Sequence, residues 1–400
     1  MRVPPLAAST PPSAGPLLFA RGFRAFFLLA GVYAVLMLGA WVALIRGWAL
    51  LPTRFSPPFW HGHEMVFGYV TAVMAGFLLT AVPNWTGTPP LQGRPVAGLV
   101  ALWLAGRVAV WAAPVLPWAL VAALDLAFLP TLAWVLARAL WPARKPKNFA
   151  FVGLLLLLTL GNLHSYVPVL GGDEDRGLLA AVDVIALLIV IVGGRITPSF
   201  TSGALRQRED APAVATYPWL DRLAVLSTLG VALADLAALP APVGGAVALL
   251  AGAANAARLG GYRTGHTLRQ PILWALHLGY AWVALGLALK GLSAFTHAIP
   301  ATAALHALTT GAIGTMTLAV MTRAALGHTG RPIAAPPPIA LAYALVTAAA
   351  LVRTFTPILL PALYLDAIAV SGALWMLAFT LFVIVYAPIL TRPRADGQPG

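Results

Sequence analysis

Residues 177–195 read GLLAAVDVIALLIVIVGGR, a stretch whose only charges are Asp183 and the closing Arg195. At about 1.5 Å of rise per residue, a run of this length crosses roughly 30 Å of hydrocarbon as a helix. The apolar residues are continuous rather than alternating, so the stretch reads as a helix and not as a barrel strand. Its composition is that of the whole chain: 60% of the 400 residues are hydrophobic and only 9% are charged. A soluble chain of this length would need a charged surface, so lipid must cover most of the outside.

Comparable runs are expected at 24–46, 62–83, 95–113, 117–140, 148–168, 177–195, 219–239, 242–259, 270–293, 299–323, 338–355 and 362–388. The expected fold is therefore all-α, a polytopic membrane bundle of about twelve spans. Basic residues fall on alternate connections: Arg2, Arg21 and Arg24; Arg144, Lys145 and Lys147; Arg206 and Arg208; Arg258, Arg263 and Arg269; Arg331, Arg392 and Arg394. The opposite connections include the acidic Asp173-Glu174-Asp175 turn, so both termini are expected on the cytoplasmic side. The net charge of +13 thus follows membrane topology and does not indicate nucleic acid. The Pro- and Ser-rich first twenty residues do not read as a cleavable signal. Residues 1–23 and 391–400 are expected as cytoplasmic tails of a single transmembrane domain, 24–390, with the largest connection a cytoplasmic loop from Pro198 to Pro218.

Cysteine is absent, which excludes disulfides, iron–sulfur clusters, thioether-attached heme and thiolate metal ligands. Histidine is then the informative residue. Trp60-His61-Gly62-His63-Glu64-Met65 opens the second expected span, and imidazole is the commonest ligand for copper and heme iron. The plainer reading is interfacial anchoring. The tenth span echoes the second: His63, Gly68 and Thr86-Gly87-Thr88-Pro89 have the same offsets as His306, Gly311 and Thr329-Gly330-Arg331-Pro332. Duplicated helical units would put the two histidines at one depth, and two unrelated helices ending in similar turns are the alternative. On the first reading His63 and His306 face each other across an outer-leaflet metal centre, with His61 completing a three-imidazole copper site. His277 and His328 are further candidate ligands in the inner half, and a histidine bonded to a carbonyl is the competing reading for His277.

Intramembrane acids are costly unless paired or hydrated. Glu64, Asp125 and Asp183 are candidate proton carriers to a buried redox centre, or else members of structural ion pairs, with Arg107 a partner for either aspartate. Arg24, Arg195 and Arg323, at cytoplasmic helix ends, suit heme propionates or simple positive-inside anchoring.

The chain resembles the NnrS family of heme- and copper-containing membrane proteins linked to nitric oxide stress and denitrification. The resemblance lies in residues 23–27 (FRAFF), 60–67, 76–87 (GFLLTAVPNWTG), 193–195 (GGR), 277–282 (HLGYAW) and 306–332. It implies b-type heme plus copper, a role in handling nitric oxide or another small diatomic ligand, and a place in a bacterial inner membrane. Two classes of function compete. One is a heme–copper protein that binds, detoxifies or reduces nitric oxide, fed by an electron donor in the membrane, or a non-catalytic variant that responds to nitric oxide or protects metal. The other is a secondary transporter, which twelve spans would suit but for the expected lack of a broken helix in each half. Sequence leaves the oligomeric state open.

Overall fold

The computed structural model describes residues 16–50, 54–144, 148–166, 174–206 and 212–398, and among them the regular structure is entirely helical. In chain order the long helices are α1 (Gly22–Ile45), α2 (Pro57–Thr86), α3 (Arg94–Trp111), α4 (Trp118–Leu140), α5 (Phe149–His164) and α6 (Glu174–Leu205). They continue as α7 (Pro218–Leu236), α8 (Ala241–Gly260), α9 (Pro271–Ser293), α10 (Ala301–His328), α11 (Pro337–Leu359) and α12 (Tyr364–Thr391). Each expected span coincides with one of these helices. Among the described residues ten helices are long and apolar enough to cross a membrane. The other two differ for visible reasons: α5 has only 16 residues, and α7 carries Asp221, Arg222 and Asp235.

Local chemistry sets the boundaries. Proline occupies the first or second position of α2, α3, α7, α8, α9 and α11, where its missing N–H has no intrahelical acceptor anyway. Gly87 and Gly330 end α2 and α10 with φ of 72° and 66°, a left-handed conformation that glycine adopts without strain. One expectation needs correction: α6 does not stop before Pro198 but runs through it to Leu205, so the expected cytoplasmic loop is shorter. Thr201 Oγ1 donates to the Thr197 carbonyl in that last stretch, the type of side-chain bond that helps helices tolerate an internal proline. Arg2, Lys145, Lys147, Asp173 and Arg208, used above to orient the chain, lie outside the described residues.

The echo between the second and tenth spans reappears in the backbone. His63 closes an α-helical start to α2, and Glu64–Val70 then winds as a π-helix; His306 closes the start of α10, and Ala307–Gly314 does the same. A π-turn widens the helix and strains the i→i−4 pattern, and such turns are frequent at functional sites. Side chains serve the loosened carbonyls: Thr71 Oγ1 reaches Phe67 O at 2.5 Å, Trp103 Nε1 reaches Gly68 O at 3.1 Å, and Thr317 Oγ1 reaches Ile313 O at 2.6 Å. Each of these two helices therefore carries a π-turn, while neither is broken. α1 packs between α2 and α12, and α9 packs between α8 and α10, so each π-helix lies inside its half of the bundle.

Candidate functional site

Two residues along a helix rotate a side chain by about 200°, so His61 and His63 leave α2 on nearly opposite sides. Their surroundings differ accordingly. The ring of His63 is fully buried among Phe55, Phe59, Phe67 and Tyr166. Its Nδ1 lies 2.9 Å from Glu64 Oε1, and its Nε2 lies 3.0 Å from Asn162 Oδ1 and 3.3 Å from Asp125 Oδ2. Arg107 bridges the two acids, bonding Glu64 Oε1 with one terminal nitrogen and Asp125 Oδ1 with the other. Tyr33 donates to Glu64 Oε2, while Asn162 Nδ2 and Tyr166 OH each reach Asp125 Oδ2 at 2.8 Å.

Because the Asn162 amide nitrogen is engaged by Asp125, its oxygen is the atom that faces His63. Both imidazole nitrogens therefore face acceptor oxygens, which a doubly protonated ring, or a proton on one of the neighbouring carboxyls, would satisfy. In the doubly protonated case imidazolium and guanidinium would balance two carboxylates, the condition under which buried charges are tolerated. A ring in this state has no lone pair to give a metal. The expected partnership of Arg107 with Asp125 is present in the structure.

His61 faces elsewhere. It stacks on Trp41 of α1, with ring centroids 4.6 Å apart and planes 9° from parallel. Its Nδ1 is buried and has no hydrogen-bond partner among the described residues. His306, at the start of α10, lies in the neighbourhood of His61, and both lie near Arg353 of α11. His306 Nδ1 lies 2.6 Å from the Thr302 carbonyl, which fixes the proton on Nδ1 and leaves Nε2 with its lone pair. A second-sphere carbonyl of this kind commonly orients a ligating histidine. Arg353 is 7% exposed; it bonds Tyr364 OH at 3.2 Å through NH2, while NH1 is buried without a partner among the described residues. Two imidazoles with free nitrogens thus share one end of the bundle with an incompletely paired guanidinium. A three-imidazole site is not formed there: no group of three or more His, Cys, Asp or Glu residues placed to hold a metal occurs among the described residues.

A family model described as NnrS protein matches residues 17–394, from before α1 to beyond α12. The chain belongs to the NnrS family. No curated protein matches it.

The remaining candidate residues of this NnrS-family chain are held in other ways. His277 is buried, with Nε2 2.7 Å from Thr201 Oγ1 and Nδ1 2.9 Å from Thr264 Oγ1, so each ring nitrogen already has a hydroxyl partner. The ring of His328 packs against Phe23, with centroids 5.6 Å apart. Arg24 NH1 donates to the carbonyls of Leu390 and Arg392 at 2.8 Å each, at the end of α12. Arg323 lies over the ring of Phe200 at 3.8 Å. Asp183 pairs with Lys290, not Arg107: Lys290 Nζ reaches its two oxygens at 2.6 and 2.7 Å and Asp235 Oδ2 at 2.7 Å. Sequence reading missed Arg353, Lys290, Asp235, Asn162, Tyr33 and Tyr166. Two of the charged ones carried a signal: Arg353 and Lys290 sit within apolar runs, where an unpaired charge is costly.

Proposed function

We propose that this NnrS-family protein crosses a bacterial inner membrane twelve times, with both termini cytoplasmic, and carries heme b and copper in a protein that binds nitric oxide. The observation that supports this most directly is the pairing of His61 and His306 beside Arg353. Non-covalent heme needs an imidazole with a free nitrogen and a cation for its propionates. His306 Nε2 and His61 meet the first need, and the unpaired NH1 of Arg353 suits the second. The absence of cysteine leaves imidazole as the natural ligand for copper too. Bound iron or copper would supply a coordination position for a small diatomic molecule.

This chain's own residues account for the rest. Trp41 holds the His61 plane, Thr302 fixes the His306 tautomer, and Glu64 and Asp125 lie in a buried network that begins at the residue after His63. Such a network can hold protons for reduction of nitric oxide, with electrons from a donor in the membrane, or can merely stiffen a binding protein for nitric oxide response or metal protection. A reduced-minus-oxidised optical spectrum of the purified protein, with pyridine hemochrome and metal analysis, decides the cofactor reading. Soret and α-band features that disappear together in His61→Ala and His306→Ala are expected. A colourless, metal-free protein would instead favour the transporter reading, which gains from the matched π-interruptions in α2 and α10.

A further inference from the structure

Away from the histidines, the same end of the bundle holds a second set of intramembrane charges. Asp183 of α6 is 1% exposed, whereas its partners Lys290 of α9 and Asp235 of α7 have side chains 24% and 30% exposed. That this end is shared with His61 follows from the packing of Gly62 against Leu178, near the start of α6. The set is unbalanced, with two carboxylates against one ammonium. Both carboxylates accept from the same ammonium nitrogen, which holds their oxygens close together, and two ionised carboxylates held so close repel each other. Among the described residues no further cation pairs with Asp183 or Asp235. His164 of α5 reaches α6 at Gly177, more than a helical turn from Asp183, and α2 packs Gly62 against Leu178.

We infer that Asp183, Asp235 and Lys290 form a proton-binding site that holds one proton between the two aspartates at neutral pH and exchanges it with the solvent on the side where Asp235 and Lys290 emerge. In the loaded state a protonated Asp183 donates to the Asp235 carboxylate while Lys290 stays an ammonium, so the buried set is neutral. Release transfers that proton to water and leaves one net negative charge, which the apolar surroundings of Asp183 oppose. The exposed edges of Asp235 and Lys290 give the proton its route. The inference does not depend on metal at the histidine pair, because no residue is shared between the two sites.

Infrared difference spectroscopy of the purified protein tests it. The wild type should show the C=O stretch of a protonated carboxyl at neutral pH, shifted to lower frequency in D2O and lost as the pH is raised. Asp183→Asn and Asp235→Asn should each abolish the band, since either change leaves a balanced lysine–carboxylate pair with no need of the proton. Lys290→Met should retain the band to higher pH than the wild type. A wild type without the band at neutral pH overturns the inference, and that measurement needs no variant to fold. So does a band that survives in Asp183→Asn.

Discussion

The hydroxyl of Tyr69 lies 2.5 Å from the hydroxyl of Thr317, joining the π-interrupted helices α2 and α10 in the core. Thr317 Oγ1 is also 2.6 Å from the Ile313 carbonyl, which takes its proton, so Tyr69 is the donor in the pair. The roles predict an asymmetry. Tyr69→Phe removes one bond and leaves Thr317 bonded to its own helix, a loss of about 0.5–1.5 kcal/mol. Thr317→Val strands a buried tyrosine hydroxyl and should lose about 1–3 kcal/mol. Unfolding in detergent measures both, and equal losses would show that the assignment of donor is wrong.

The two histidines that open α2 should separate by spectroscopy. His61→Ala and His306→Ala are expected to remove one and the same metal or heme component, with the double variant losing no more than either single one. His63→Ala should chiefly reduce thermal stability, because it removes a counter-charge from Glu64 and Asp125. Loss of the metal signal in His63→Ala without loss of stability would place His63 in the ligand set.

How much of this could be read from residues alone follows from what each feature depends on. The helices follow from apolar runs, a local property, so every expected span has its helix. The repeat was visible as equal offsets from His63 and His306, and the structure adds that a π-turn begins just after each. The π-turns themselves were hidden, since their loosened carbonyls are served by residues such as Trp103 from another helix. Partner choice was hidden for the same reason. Asp125 meets Arg107, Asn162 and Tyr166 through the crossing of α3, α4 and α5, and no spacing within one helix encodes that meeting.

Close packing around the π-turns gives a third prediction. A Cβ on Gly68 would lie 2.5 Å from the Tyr33 ring, and one on Gly311 would lie 2.5 Å from the indole of Trp282. Gly98 has nothing within 4 Å. Gly68→Ala and Gly311→Ala should each cost about 1–3 kcal/mol through overpacking. Gly98→Ala should be neutral or slightly stabilising, because alanine is the better helix former. If all three variants melt together with the wild type, the packing around the two π-turns is looser than described.

The last prediction concerns Arg107, whose two terminal nitrogens hold Glu64 and Asp125 together. Arg107→Met leaves two buried carboxylates with only the His63 imidazolium between them. Breaking a buried pair by removing one partner typically costs about 3–5 kcal/mol, because the remaining charge is left uncompensated. Asp125→Asn alone should also destabilise, since Arg107, His63, Asn162 and Tyr166 all lose a charged acceptor. Combined, the two changes leave Glu64 balanced by His63, so the double variant should lose less than the sum of the singles. Residues within one ion network couple by about 0.5–3 kcal/mol, a range that a double-mutant cycle on unfolding in detergent resolves. The sign of that coupling is what the charge count requires: strict additivity would mean that Arg107 and Asp125 do not share a counter-charge, and a neutral His63 would then be the better description of the network.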